Sequence, residues 1–178
     1  MSLMLQWKSL GFAMTLLAGC GGAGLSVTSG PSDIASTAYG PNEVGIVGPA
    51  TSIEDSSFAE MLNGMRIASD LAPVTYDARL DAAAQKHAQD MADNNYFSHT
   101  SLDGSTVIDR IRAEGYDARG WGENIAGRQQ DQETAFDGWM NSPTHYDLMV
   151  ADGLEDFALG VAGVGSRTRW VLLMAVER

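Results

Sequence analysis

The chain has 178 residues, with 23 acidic against 11 basic side chains and a formal net charge of −12. Such a surface repels phosphate backbones and anionic headgroups alike, which argues against a nucleic-acid partner and leaves any membrane attachment to a covalent anchor. Length and apolar content suit one folded domain with accessories, and the single cysteine, Cys20, rules out an intrachain disulfide.

Residues 1–19 carry one positive charge, Lys8, then the apolar run Leu10 to Leu17, then small Ala18 and Gly19. That layout predicts a secretory signal, too short for a spanning helix of roughly 20 apolar residues. The tetrad Leu17-Ala18-Gly19-Cys20 resembles the bacterial lipobox. The resemblance implies cleavage before Cys20 and palmitate-like acyl chains on that residue. Each buried methylene would contribute about 0.8 kcal/mol to anchoring. The expected address is the cell envelope, lipid-anchored, or the extracellular space. Gly21 replaces the aspartate associated with inner-membrane retention, so the outer membrane is expected in a Gram-negative cell. Residues 20–52 are rich in Gly, Ser, Thr and Pro with no sustained period, and they predict a tether spanning roughly 30 Å. The domain is expected over 53–178.

Within it, Ser57-Phe58-Ala59-Glu60 reads as a capping box opening a first helix that ends near Asp70. Pro73 starts a short extended piece. From Asp77 to about Asn94, Leu80, Ala84, His87, Ala88 and Met91 share one face of a second helix. A third helix fits Thr106 to Glu114, burying Val107, Ile108 and Ile111. Gly115, Gly120 and Gly122 then break the pattern around a strand at 122–126. Gln132 to Met140 predicts another helix, and Ser142-Pro143 an N-cap and first residue opening a short turn that carries His145. The chain finishes as a hairpin, 157–164 against 167–176, turning at Gly165-Ser166. Helices around a small, mostly antiparallel sheet make an α+β fold.

The three histidines differ in setting. His87 lies on the apolar face of the second helix and reads as a hydrogen-bonded core residue. His99 lies where a loop leaves that helix, a common place for functional side chains. Glu123 sits in an otherwise apolar strand, where an unpaired carboxylate costs several kcal/mol, about enough to demand a partner. Imidazole suits it, from His99 or His145. Arg66 and Asn124 read as ties to backbone. Ser98 and Ser101 lie beside His99, but no Gly-x-Ser-x-Gly elbow accompanies them.

Five blocks then carry a family resemblance: Leu62-Asn63-Gly64-Met65-Arg66, Ala83 to Ala92, Phe97-Ser98-His99-Thr100-Ser101, Gly122-Glu123-Asn124-Ile125-Ala126, and Trp139 to His145. In this order they resemble the CAP superfamily of cysteine-rich secretory, antigen 5 and pathogenesis-related 1 proteins, also called SCP domains, in its short bacterial branch. The resemblance implies an α-β-α sandwich around a central antiparallel sheet. It also implies a cleft lined by two histidines and two acidic residues, here His99, Glu123 and His145. The fourth position has no match, with Asn141 and Ser142 standing near it. Tyr146-Asp147-Leu148-Met149 departs from the branch's usual Arg-x-Asn-Ile-Leu, and Asp147 or Asp103 would have to substitute.

Three functions follow as expectations. The resemblance implies binding of a small ligand, a lipid or an envelope component in the cleft without turnover. The alternative is a metal-assisted hydrolase, with His99 and His145 holding Zn²⁺ near Glu123, or with Glu123 as general base. A third is an assembly or adhesion surface that meets an envelope protein.

Overall fold

The computed structural model describes residues 53–178. The expected signal, the lipidated Cys20 and the tether all lie outside the described residues.

Helix α1 spans Ile53–Ala68 and starts upstream of the capping box expected at Ser57. Neither Gly nor Pro occurs in residues 53–57, so nothing there stops the helix. Ser57 therefore sits inside it, and its hydroxyl accepts a hydrogen bond from the Gln132 amide. Strand β1 is only Thr75–Tyr76. Helix α2, Ala78–Asp93, opens on Asp77, whose carboxylate accepts from the N–H groups of Arg79 at 2.8 Å and Leu80 at 3.2 Å. Helix α3 is Val107–Ala113, started by Thr106 with Asp109 reaching back to its N–H at 3.0 Å.

Strand β2, Ala118–Gly127, runs straight through Gly120 and Gly122, while Gly115, with φ of 84°, does end the pattern just after α3. Helix α4 spans Gln132–Met140, and the expected turn after Ser142 is a short helix, α5, Pro143–Met149. Strands β3, Asp156–Ala162, and β4, Arg169–Glu177, form the expected hairpin around a 3-10 turn at Gly165–Arg167.

The sheet has the order β1-β3-β4-β2, antiparallel except for the short parallel pair β1–β3. Residues 170–176 of β4 are all buried, as suits a central strand covered on both faces. Alternation along the strands separates the two faces. Phe157 of β3 points toward α1 and α4. Its ring lies 6.2 Å from Phe58, and Phe58 packs edge-on to Phe136 at 5.8 Å and Trp139 at 6.2 Å. Gly160, three residues on, points the other way, against the backbone of α2. The result is helices on both sides of a small sheet, as the α-β-α expectation requires.

Arg66 is buried and does what a tie should. Its guanidinium donates to the carbonyls of Ala72 at 2.9 Å, Met149 at 2.9 Å and Ala151 at 3.1 Å. It thereby fixes the end of α5 to the end of α1.

Two glycines set how closely helices approach the sheet. A Cβ at Gly160 would lie 2.4 Å from the Ala84 carbonyl carbon and 2.5 Å from the Gln85 nitrogen, both backbone. A Cβ at Gly122 would lie 2.3 Å from a Leu148 methyl on α5. Because backbone cannot swing aside, Gly160→Ala should destabilise the domain by about 1–3 kcal/mol or more. Gly138 in α4 has open space around it, so Gly138→Ala should stabilise by about 0.5–1 kcal/mol. Denaturant unfolding of the two variants checks the contrast in sign.

Candidate functional site

The site begins with Glu123. Strand β2 packs against α3, and the Glu123 side chain is only 1% exposed. A carboxylate buried to that degree requires compensation on both oxygens. One oxygen receives His99 Nδ1 at 2.7 Å and the other Arg110 Nη2 at 2.7 Å. Arg110 projects from α3 and its side chain is 10% exposed, so the pair is largely withdrawn from water.

A second guanidinium nitrogen, Arg110 Nη1, donates to the carbonyls of His99 at 3.0 Å and Ser105 at 3.2 Å and to Ser101 Oγ at 3.2 Å. One cation therefore holds both the buried acid and the loop that carries His99. His87 supports the same loop from below. Its Nε2 donates to the Ser98 carbonyl at 2.9 Å, leaving Nδ1 to accept from Ser101 Oγ at 3.3 Å. Only 1% exposed, it is the hydrogen-bonded core histidine that its place on α2 predicts. Neither Ser98 nor Ser101 bonds to the His99 ring. Ser98 Oγ accepts from the Thr100 N–H at 3.1 Å.

His99 itself faces outward, with 55% of its side chain exposed. Because Nδ1 meets a carboxylate it carries its proton, and Nε2 points away from the pair. The hydrogen bond to Glu123 holds the imidazole above its ordinary range against the opposing effect of burial. Burial pushes His87 the other way. Beside this network a cavity of about 360 Å³ opens between α2 and the following loop, lined by Lys86, His87, Asp90, Ser101, Leu102 and Arg110.

His145 stands apart. It rides on α5, which packs on the Gly122 and Asn124 face of β2, opposite the face that carries Glu123. Asn124 donates to the His145 carbonyl at 2.9 Å, and the ring Nδ1 bonds Ser142 Oγ at 2.8 Å. Among the described residues no hydrogen bond or ion pair joins His145 to His99 or Glu123. The structure thus brings two of the three expected residues together and leaves the third on its own helix.

The donor set does not fit the expected zinc centre. Both Glu123 oxygens already face cationic or N–H donors, and among the described residues no group of three or more His, Cys, Asp or Glu side chains is placed to hold a metal ion. Nor does Asp103 complete it, since its carboxylate accepts from the Ser105 N–H at 2.9 Å in a turn.

Arg110, which the sequence does not single out as a candidate, completes the Glu123–His99 network. Its signal was present: Arg110 lies three residues after Val107 and next to Ile111, at the border of the buried stripe.

The family profile for "CAP: Cysteine-rich secretory protein family" matches residues 59–174. Among curated proteins, the chain is 31% identical over 107 residues to an uncharacterised membrane protein, YlbC, of Bacillus subtilis, covering 60% of this chain and 31% of that one. It is 30% identical over 117 residues to the uncharacterised protein YkwD of the same organism, covering 66% and 46%. The chain thus spans less than half the length of either relative. Among solved structures, an extracellular SCP-domain protein of Bacillus anthracis superposes with a TM-score of 0.63 at 27% identity, over 70% of this chain and 40% of that one. An outer surface protein of Borrelia burgdorferi gives 0.64 at 18% identity, over 69% and 92%, a likeness of fold alone.

The opposite displacements of the two histidines can be read by imidazole NMR. His99 should titrate above 6.5 and His87 below it, and Glu123→Gln should bring His99 down while His87 stays low. The sign for stability follows. The His99 contribution is fully present below pH 6.5 and is lost as pH rises through its raised folded value. A His99 that titrates at its ordinary value in the unaltered protein contradicts the pairing.

Proposed function

This chain belongs to the cysteine-rich secretory protein (CAP) family, and from that footing we propose that it is a binding domain of the cell envelope. In this reading it is held to a membrane by lipid on Cys20, and it presents His99 to a small ligand, a lipid or an envelope component without turning it over. The observation that carries the reading is the full commitment of Glu123 to His99 and Arg110 at 2.7 Å each.

A general base must have a free lone pair within reach of the proton it takes. Glu123 is stabilised as an anion by a donor on each oxygen and its side chain is sealed from water, so it is both weakly basic and out of a substrate's reach. It serves well as a counter-charge. An imidazole held by a carboxylate on one nitrogen stays protonated to higher pH and offers the other nitrogen as a charged donor. The chemistry it suits is recognition of an acceptor oxygen, such as a carbonyl, carboxylate or phosphate, by a donor fixed in advance. Preorganisation of that kind reduces the ordering cost of binding. The proposed location is supported by the resemblance of Leu17-Ala18-Gly19-Cys20 to a lipobox and by the likeness to a Bacillus anthracis protein described as extracellular.

Two measurements test this. Native mass spectrometry and calorimetry of the full chain against peptidoglycan fragments, phospholipids and fatty acids should find a bound species. Its affinity should fall as pH rises through the His99 value, and should drop by about tenfold in His99→Gln with the pH dependence gone. Product formation from any of these compounds that disappears in Glu123→Gln would overturn the reading. Separately, Cys20→Ser should move the chain from the membrane fraction to the soluble fraction. Unchanged membrane association would remove the lipid anchor from the account.

A further inference from the structure

A second hollow, of about 350 Å³, lies at the far end of β2 and is lined by Phe97, Gly127, Arg128 and Arg169. None of the residues of the proposed His99 site lines it. Three features set it apart from an ordinary surface dent.

The first is a buried cation without an acid. Arg169 is 7% exposed, and its guanidinium donates only to backbone carbonyls: Nε to Tyr96 at 3.1 Å, Nη1 to Ser166 at 3.1 Å and to Thr168 at 2.9 Å. Among the described residues no carboxylate pairs with it, although the chain carries 23 acidic side chains against 11 basic ones. A guanidinium withdrawn from water and left with neutral acceptors keeps an unmet attraction for an anion.

The second is backbone strain. Arg128 has φ of 79°, in the left-handed region, with its N–H fixed by the Thr168 carbonyl at 3.0 Å. For a residue with a Cβ this conformation costs about 1–2 kcal/mol, and glycine would relieve it. Arg128 is nevertheless what stands there. It is exposed and has no ion pair among the described residues, so a second guanidinium lines the same hollow.

The third is an aromatic wall. Phe97 is 53% exposed, and its ring centroid lies 5.9 Å from the Arg169 guanidinium carbon. Gly127 lets it close: a Cβ there would meet the ring at 3.3 Å. A large apolar ring left half in water beside two cations offers a flat surface on which a ligand's own ring can lie.

We propose that this hollow is an anion-binding site that takes a carboxylate or phosphate carried on a ring, with Arg128 and Arg169 holding the anion and Phe97 stacking on the ring. It is independent of the function assigned to His99, because it uses none of the same side chains. Arg128 is then a residue retained for binding against a cost in stability, and the local net positive charge steers anions to one spot on an otherwise repelling surface.

The test uses amide NMR titrations of the full chain with phenyl phosphate, benzoate, inorganic phosphate and neutral benzyl alcohol. Saturable shifts at Gly127, Arg128 and Arg169 are expected from the two ring-bearing anions, and their relative affinities identify which anion the site prefers. Loss of a charge-assisted contact in Arg128→Gly should weaken both by about tenfold or more, while its melting temperature holds or rises. Phe97→Ala should weaken the ring-bearing anions and leave inorganic phosphate unchanged. Absence of saturable shifts from both ring-bearing anions would overturn the proposal. So would unchanged affinity in Arg128→Gly, or benzyl alcohol binding as tightly as benzoate.

Discussion

A carboxylate cannot be buried in the middle of a protein strand without something to answer its charge, and the local architecture around Glu123 is organised by that requirement. With its side chain 1% exposed, Glu123 draws Arg110 from α3 and His99 from the loop after α2 onto its two oxygens. Arg110 then spends a second nitrogen on the carbonyls of His99 and Ser105, so the same cation that neutralises the acid also shapes the loop. Three successive pieces of chain, the loop after α2, helix α3 and strand β2, meet through one charge. What emerges at the surface is an imidazole with a fixed direction, held above its ordinary titration range by the Glu123 hydrogen bond.

Much of this fold was legible because its signals are local. Asp77 ahead of the stripe Leu80, Ala84, His87, Ala88 and Met91 defines α2 on its own, and Thr106 with Asp109 does the same for α3. The apolar run from Trp170 to Val176 could only be a covered strand. The start of α1 was misread for an equally local reason: Ser57 with Glu60 is a valid capping pattern, but a helix that has already begun at Ile53 makes it an interior serine. Gly122 looked like a breaker because a sequence cannot show Leu148 pressing against the strand from α5. Strand β1 pairs parallel with β3 through two residues about eighty positions away in the chain, and no period announces that.

The site was legible in part. A lone acid in an apolar strand demanded a partner, and His99 is one. Spacing puts Arg110 at the border of the α3 stripe, but which charge it meets is set by how α3 packs on the sheet. Strand alternation places His145 apart from that pair. Glu123 and Asn124 are neighbours in sequence but point to opposite faces of β2, and α5 packs on the side of Asn124. Membership of the CAP family fixes the fold and the order of the blocks, while the chemistry at the cleft depends on which side of one strand each residue occupies. Here Glu123 faces His99 and Arg110 while His145 lies by Asn124, and a hollow lined by Phe97, Arg128 and Arg169 stands apart from both on a strongly acidic chain.

The central claim is that Glu123 and Arg110 are bound to each other as a buried unit. A double-mutant cycle on folding stability tests it most directly, using Glu123→Gln, Arg110→Met and the pair together. The account predicts that each single change costs about 3–5 kcal/mol by stranding its partner, and that the double change costs far less than the sum. Strictly additive losses would contradict it, and would leave the carboxylate and the guanidinium as independent side chains that merely lie close.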